Sequence, residues 1–409
     1  MKKSIIAVVI AAIISVLSAV SAYADPVIDD IAVDPIFTVV IPFGVELTDK
    51  ESVVSTIRIY GEDEDSAVVV NNLQFVKVDL TYSDNDFEVV NEEGDGIAYT
   101  VNDKNSFGDL TNVANCLNGK KSSTDIVFKI TGETLYPGSY FDTLTFDVSV
   151  ADRDMIDIGT ISGSYKAKDG DILTGIGNQD THIIIEDGAE VLLKNCDIST
   201  IKNDDSHKWA GVTLEGNAAI MIEGENVAKG GQADYSGIYV PADKTLTITG
   251  KGSLEASSNG NGAGIGSCHK SDCGNIVISD GNITAIGGTG CAGIGSTADK
   301  SSCGNISILG GTVSAVGGQN AAGIGTGTGN ECYCGNISIT GGSVTAIGTG
   351  VGAAIGTCAG GKCGNISIAS TVTKVEVTKG ESASKYIGAG DSGTVGEITI
   401  EDGVTIIEN

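Results

Sequence analysis

The chain has 409 residues, a formal charge of −29 at neutral pH, 58 glycines and only 5% aromatic residues. Such an acidic surface repels nucleic acid and anionic membranes, which excludes both as partners, and it suits cations such as Ca²⁺. The scarcity of aromatics argues against a conventional core of large side chains. Short runs of alternating β-branched residues, without a 3.6-residue apolar period, indicate an all-β protein.

The first element is a signal peptide at residues 1–24. Lys2 and Lys3 precede the apolar run Ile5–Val20, and Ala22-Tyr23-Ala24 supplies a cleavage sequence. This run is short for a membrane span, and no later stretch is apolar for long enough to cross a bilayer. Removing the two lysines takes the charge from −29 to −31. We therefore expect a secreted protein, extracellular or associated with the cell surface, with no membrane span.

Residues 25–165 form the second element and contain no repeat. Runs such as STIRIYG, LQFVKVDLTY and DIVFKITG alternate apolar and polar residues between turn clusters. This spacing predicts a small antiparallel β-sandwich. The segments FTVVIPFGVEL and LYPGSYFDTLTFDVSVA resemble Ig-like sandwich modules of bacterial surface proteins.

Residues 166–409 form a repeat domain with a period of about thirty residues. Its marker is the apolar residue of an AGIG-like phrase, and the series consists of Val212, Ile238, Ile265, Ile294, Ile324, Ile355 and Ile387, with Ile176 as a candidate first member. Two further apolar phrases follow each marker, exemplified by Ile306/Ile308 and Val313–Ala315. Each period therefore holds three short strands separated by glycine-rich corners.

Three strands per period cannot close their own apolar face, so successive periods must stack. The sequence predicts a right-handed parallel β-helix of about eight coils, with ladders of identical residues one strand spacing apart. A β-propeller needs a longer period of four strands. Asparagines at one corner should form a further ladder: Asn275, Asn305, Asn336 and Asn365.

Eight of the ten cysteines lie in the C-terminal coils, and in an exported protein they indicate disulfides rather than a metal site. The candidates are Cys268, Cys273, Cys291, Cys303, Cys332, Cys334, Cys358 and Cys363. We expect the pairs Cys268–Cys273 and Cys358–Cys363, each across one loop. Bridges between equivalent cysteines of adjacent coils are the alternative.

A candidate carbohydrate platform surrounds Trp209, the only tryptophan. Trp209 and Tyr235 each lie three residues before a marker, which predicts that their rings stack, with Tyr239 close by. A sugar ring packs its CH face on such a π surface while carboxylates bind its hydroxyls. An aromatic stack that covers a thin part of the core is the alternative. The flanking polar candidates are Asp204, Asp205, His207 and Asp234.

The phrases WAGVTLEGNAAIMIEG and YSGIYVPADKTLTITGKGSLEA, with the GNISI/AAGIG coils, resemble the repeat region of secreted bacterial surface proteins, some of them carbohydrate-binding. The predicted fold is also that of pectate lyases and polygalacturonases. Such lyases use an arginine or lysine base, and the glycosidases a GHG histidine. The repeat domain has no arginine and no GHG phrase.

We therefore expect a non-catalytic, adhesin-like protein that binds polysaccharide or glycan, with Ca²⁺ as an assisting ion. Two alternatives stay open. One is a polysaccharide lyase or glycoside hydrolase of the β-helix type. The other is a structural surface spacer that self-associates at its C-terminal coil.

Overall fold

The computed structural model describes residues 35–41, 45, 47, 52–133 and 139–409. The expected signal peptide lies outside these residues, as do parts of both segments that resemble Ig-like modules. The chain divides into two compact units between Arg153 and Asp154. Parallel pairing of Met155–Asp157 with Ile172–Ile176 belongs to the second unit, so the solenoid begins before residue 166.

The first unit is the expected antiparallel β-sandwich. One sheet has five strands, in the order Thr38–Val40, Val53–Tyr60, Ser122–Ile130, Gly96–Val101 and Glu88–Val90. The other has three, in the order Ala114–Leu117, Gln74–Ser83 and Leu144–Asp152. A 3-10 turn at Phe107–Asp109 lies between Gly96–Val101 of the first sheet and Ala114–Leu117 of the second. Alternate residues such as Ile57, Ile59, Val76 and Val78 point inward and form one shared core.

The second unit is a parallel β-helix of about eight coils, as the repeat predicts. The markers lie in a nine-stranded sheet that we call the marker sheet: Ser164–Ala167, His182–Ile185, Val212–Leu214, Ile238–Tyr239, Ile265–Gly266, Ile294–Gly295, Ile324–Gly325, Ile355–Gly356 and Ile387–Gly388. Each marker from Val212 to Ile387 pairs with the next in register.

Two more rows of strands complete each coil. The second row contains Met155–Asp157, Ile172–Ile176, Glu190–Ile198, Ala218–Glu223, Thr245–Gly250, Asn275–Ile278, Ile306–Ile308, Ile337–Ile339, Ile366–Ile368 and Ile398–Ile400. The third row contains Glu225–Lys229, Ser253–Ser257, Asn282–Ile286, Thr312–Val316, Ser343–Ile347, Lys374–Thr378 and Ile406–Glu408. A 3-10 turn at Ile158–Thr160 lies in the first coil. Inward isoleucines, valines and alanines of all three rows form a single core.

The predicted first member of the marker series, Ile176, was wrong. Ile176 is 64% exposed, whereas Ile183 is buried and pairs with Val212 in register. Ile183 therefore begins the marker series. The first coils lack the glycine phrase that identifies later markers, so alternation alone could not place them.

The asparagine ladder is present and uses main-chain donors. The side-chain oxygen of each asparagine accepts a hydrogen bond from the backbone N–H of the next, at 2.8–2.9 Å, from Asn275 through Asn305 and Asn336 to Asn365. Asn365 in turn accepts from the backbone of Glu397. Each corner thus satisfies a backbone donor that a tight turn would leave without an intramolecular partner.

A short fourth row, the cysteine sheet, contains Ser302–Cys303, Tyr333–Cys334, Lys362–Cys363 and Thr394–Val395. Cys273 forms a disulfide with Cys303, one coil away. Cys268 and Cys358 are thiols, so both expected loop pairs were wrong. The physical reason is the register, which stacks equivalent cysteines of adjacent coils with a Cα–Cα distance of 4.5 Å for Cys273 and Cys303.

Candidate functional site

The candidate site lies in the loop 199–211, which joins the strands Glu190–Ile198 and Val212–Leu214. The Asp204 carboxylate accepts a hydrogen bond from the backbone N–H of Ser206 at 2.9 Å, which folds the chain into a local turn. The backbone N–H of His207 donates to the carbonyl of Asp204 at 3.1 Å. This turn directs His207 and Trp209 towards the preceding coil.

His207 is held between two carboxylates. Its Nδ1 lies 2.5 Å from Asp204 and its Nε2 lies 2.8 Å from Asp180, and the residue is only 7% exposed. Both ring nitrogens therefore face acceptors, an arrangement that favours the imidazolium. The hydrogen bonds to Asp180 and then to Asp204 raise the pKa of His207 above its ordinary value. His207, followed by Lys202 and the Ser206 amide, lowers the pKa of Asp204.

The Trp209 ring is half-buried and packs against the solenoid core. It stacks on His182 with ring centroids 4.9 Å apart and an angle of 21° between the planes. His207 lies against it at 5.0 Å, tilted by 57°. The indole N–H donates to the carbonyl oxygen of Thr181 at 3.1 Å. The indole is thus fixed in position by two imidazole rings and one hydrogen bond.

The expected stack of Trp209 on Tyr235 is wrong. The ring contacts of Trp209 are with His182 and His207. The register that joins Val212 to Ile238 does not extend three residues back, because Trp209 and Tyr235 both lie in loops.

Tyr235, Tyr239 and Asp234 lie in the following coil. Burial raises the pKa of Tyr235 and of Tyr239, and both rings lie near the Cys268 thiol. The Asp234 carboxylate accepts a hydrogen bond from Asn261 at 2.8 Å. The structure therefore places these three residues beside Cys268 rather than around Trp209.

Asp205 stays at the outer side of the loop, where its carboxylate lies 3.7 Å from the Lys208 ammonium group and is 89% exposed. It contributes charge to the surface beside Trp209 but does not contact His207. Of the seven predicted site residues, the structure brings together Asp204, His207 and Trp209, with Asp205 at the edge.

Sequence reasoning missed Asp180 and His182. His182 directly precedes Ile183, the true first marker, and its Nδ1 lies 2.8 Å from the Ser164 hydroxyl. Burial lowers the pKa of His182. Once Ile183 is aligned with Val212, both residues fall one coil before the loop 199–211. A correct alignment of the first coils would therefore have identified them as candidates.

Within the residues that the structure describes, no three histidine, cysteine or acidic side chains converge as a metal-binding group. Over the same part of the chain, no helix has the length and hydrophobicity needed to cross a membrane. Comparison of the chain with protein-family models, with curated proteins and with solved structures gives no match.

The two histidines that flank Trp209 should have pKa values on opposite sides of the ordinary value of 6.5. His207 binds its proton more tightly in the folded state, so we expect its transition above pH 6.5 and that of His182 below it. The stabilisation from His207 is complete below pH 6.5 and is lost as the pH rises through the folded pKa. NMR titration of the imidazole protons, with His207→Gln for assignment, measures both. A His207 transition at or below pH 6.5 would contradict the carboxylate clamp.

Proposed function

We propose that the protein is an extracellular, adhesin-like, non-catalytic protein that binds polysaccharide or glycan at the loop 199–211. The observation that carries the proposal is the partly exposed Trp209 indole, held on the solenoid by His182 and the Thr181 carbonyl, in a loop that also carries two exposed lysine–aspartate pairs. Sugar binding needs an aromatic face for the CH groups and fixed polar groups for the hydroxyls.

The charged groups beside the indole are suited to binding hydroxyls. Lys202 and Lys208, 58% and 56% exposed, each pair with an aspartate of the same loop. These pairs present both donors and acceptors without a large net charge, which favours a neutral or mildly acidic polysaccharide. Asp180 and Asp204 are both engaged with His207. These oxygens therefore position the loop, while the second oxygen of Asp204 pairs with Lys202.

Export of the chain is part of the same proposal and is supported by the apolar run that precedes Ala22-Tyr23-Ala24. The acidic composition suits solubility outside the cell and Ca²⁺ as an assisting ion.

Replacing Trp209 with alanine should weaken polysaccharide binding by about tenfold or more, since loss of an aromatic contact of about 1.4 kcal/mol is tenfold in Kd. Affinity electrophoresis and calorimetry against a polysaccharide panel, with Ca²⁺ and with chelator, measure this. Tyr333→Ala is the matched control, because Tyr333 is an aromatic on the cysteine sheet that is 44% exposed. Trp209→Phe retains an aromatic ring at this position, and thermal melts of all variants separate a loss of binding from a loss of stability.

If Trp209→Ala and Tyr333→Ala bound polysaccharide equally well, the proposed site would be contradicted. Release of new reducing ends or unsaturated uronate would favour the enzymatic alternative. If no polysaccharide of the panel binds, and light scattering gives a molecular mass that rises with protein concentration, the self-associating spacer would be favoured.

A further inference from the structure

Four cysteines form a continuous column inside the solenoid. Cys303 pairs in register with Cys334, and Cys334 with Cys363, on successive strands of the cysteine sheet. Cys273 lies one coil before Cys303 and is bonded to it. All four side chains face the core and are at most 6% exposed. Along the column, each cysteine therefore has the cysteines of the adjacent coils as its neighbours.

The ends of this column offer no other thiol. The residue that follows Cys363 in register is Val395, and the bridge partner that precedes Cys273 is Pro241. Pairing must therefore occur within the four. A bond between Cys303 and Cys334 would leave Cys273 and Cys363 three strand spacings apart, about 14 Å. That separation exceeds the Cα–Cα limit of about 7 Å for a disulfide.

The Cys273–Cys303 bridge therefore leaves Cys334 and Cys363 as the one remaining pair of neighbours. Cys334 and Cys363 are register partners on neighbouring parallel strands. They are one coil apart, as are Cys273 and Cys303, whose Cα–Cα distance is 4.5 Å. Neighbouring strands of a sheet are about 4.8 Å apart, which lies inside the disulfide range. The neighbouring Cys363 thiol, together with burial, raises the pKa of Cys334. The sulfur atoms of Cys334 and Cys363 also lie 4.0 and 3.4 Å from the backbone carbonyl oxygens of the preceding coil.

The other thiols of the C-terminal coils lie outside the column. Those of Cys291, Cys332 and Cys358 donate to backbone carbonyls, at 3.3, 3.3 and 2.6 Å respectively. Cys268 lies 3.4 Å from the Ser236 hydroxyl. None of these side chains belongs to the column.

We propose that Cys334 and Cys363 form a second disulfide, so that the column carries two axial bridges, Cys273–Cys303 and Cys334–Cys363. The oxidant is a small-molecule or protein disulfide, RSSR. The Cys334 thiolate attacks one of its sulfurs and releases RS⁻, and the Cys363 thiolate then attacks the Cys334 sulfur of the mixed disulfide and releases the second RS⁻. The two cysteines lose two electrons and two protons, and RSSR becomes two RSH.

Thiol counting tests the proposal on the full chain refolded with reduced and oxidised glutathione. Ten cysteines with two bridges leave six thiols in denaturant, whereas the Cys273–Cys303 bridge alone leaves eight. Cys363→Ser should raise the count to seven, because its partner Cys334 becomes free. Cys358→Ser, the matched control outside the column, should lower it to five. Eight thiols in the natural chain, or seven in Cys358→Ser, would overturn the proposal.

Peptide mapping then identifies the bonds. Cleavage after Lys300, Tyr333 and Lys362 places Cys303, Cys334 and Cys363 in separate peptides. We expect a disulfide-linked peptide pair that joins Cys334 to Cys363, still present in Cys358→Ser. A link between Cys303 and Cys334, or alkylation of both Cys334 and Cys363, would also overturn it.

Discussion

Replacing Gly325 with alanine should destabilise the solenoid by about 3–5 kcal/mol, combining backbone strain with overpacking. Gly325 follows the marker Ile324 and has φ +133°, a conformation that side-chain-bearing residues rarely adopt. A Cβ atom there would overlap the carbonyl oxygen of Gly356 in the next coil. The same overlap with the next glycine carbonyl recurs at Gly266, Gly295 and Gly356, so glycine at this place permits the coils to stack.

Gly188→Ala is the matched control for this substitution. Gly188 also has a positive φ, +81°, but no atom lies within 4 Å of the position its Cβ would take. We expect a loss of about 1 kcal/mol from the left-handed conformation alone. Guanidinium unfolding and hydrogen exchange in peptides that span Ile324–Gly356 measure both variants. Similar losses in the two would show that the close approach of successive coils is not what requires glycine.

Replacing Asp142 with alanine should destabilise the sandwich by about 3–5 kcal/mol, because several buried donors would lose their acceptor. Asp142 is 2% exposed. One of its carboxylate oxygens accepts hydrogen bonds from the hydroxyls of Ser83 and Tyr99, both at 2.6 Å. The other accepts from the backbone N–H groups of Asn85 and Thr143, at 3.1 and 2.8 Å. The Asn85 side-chain amide also donates to this second oxygen, at 3.4 Å. Five donor groups thus converge on one buried carboxylate.

Tyr99→Phe is the conservative comparison for Asp142→Ala. It removes one donor and leaves the other four in place, so we expect a loss of about 1–3 kcal/mol. Chemical denaturation, followed by hydrogen exchange in the strands Gln74–Ser83 and Gly96–Val101, measures both variants. If Asp142→Ala cost no more than Tyr99→Phe, the carboxylate would not be the centre of this network.

The fold could be predicted from the sequence because the same residue types recur at equivalent positions of successive coils. Residues such as Ile294, Ile324 and Ile355 stand in the same phrase of successive periods, and stacking them in register is the arrangement that buries all of them. The prediction was wrong where the phrase is missing. Ile176 and Ile183 both lie in alternating apolar runs, and only the register shows which one faces the core.

The candidate site could be predicted only in part. The proximity of Asp204, His207 and Trp209 follows from their spacing within one loop. The contacts of Asp180 and His182 depend on how that loop folds back on the preceding coil. A register between strands does not extend into loops, which is why Tyr235 is not the neighbour of Trp209.

By itself the sequence determined the two structural classes, the coil period, the ladders of isoleucine and asparagine, and the position of glycine at each close approach. All of these follow from a period that brings like residues together one strand spacing apart. Only the tertiary structure decided that Cys273 bonds Cys303 and that Trp209 lies on His182. These contacts join different coils through side chains, and their geometry depends on where each coil begins and how each loop turns.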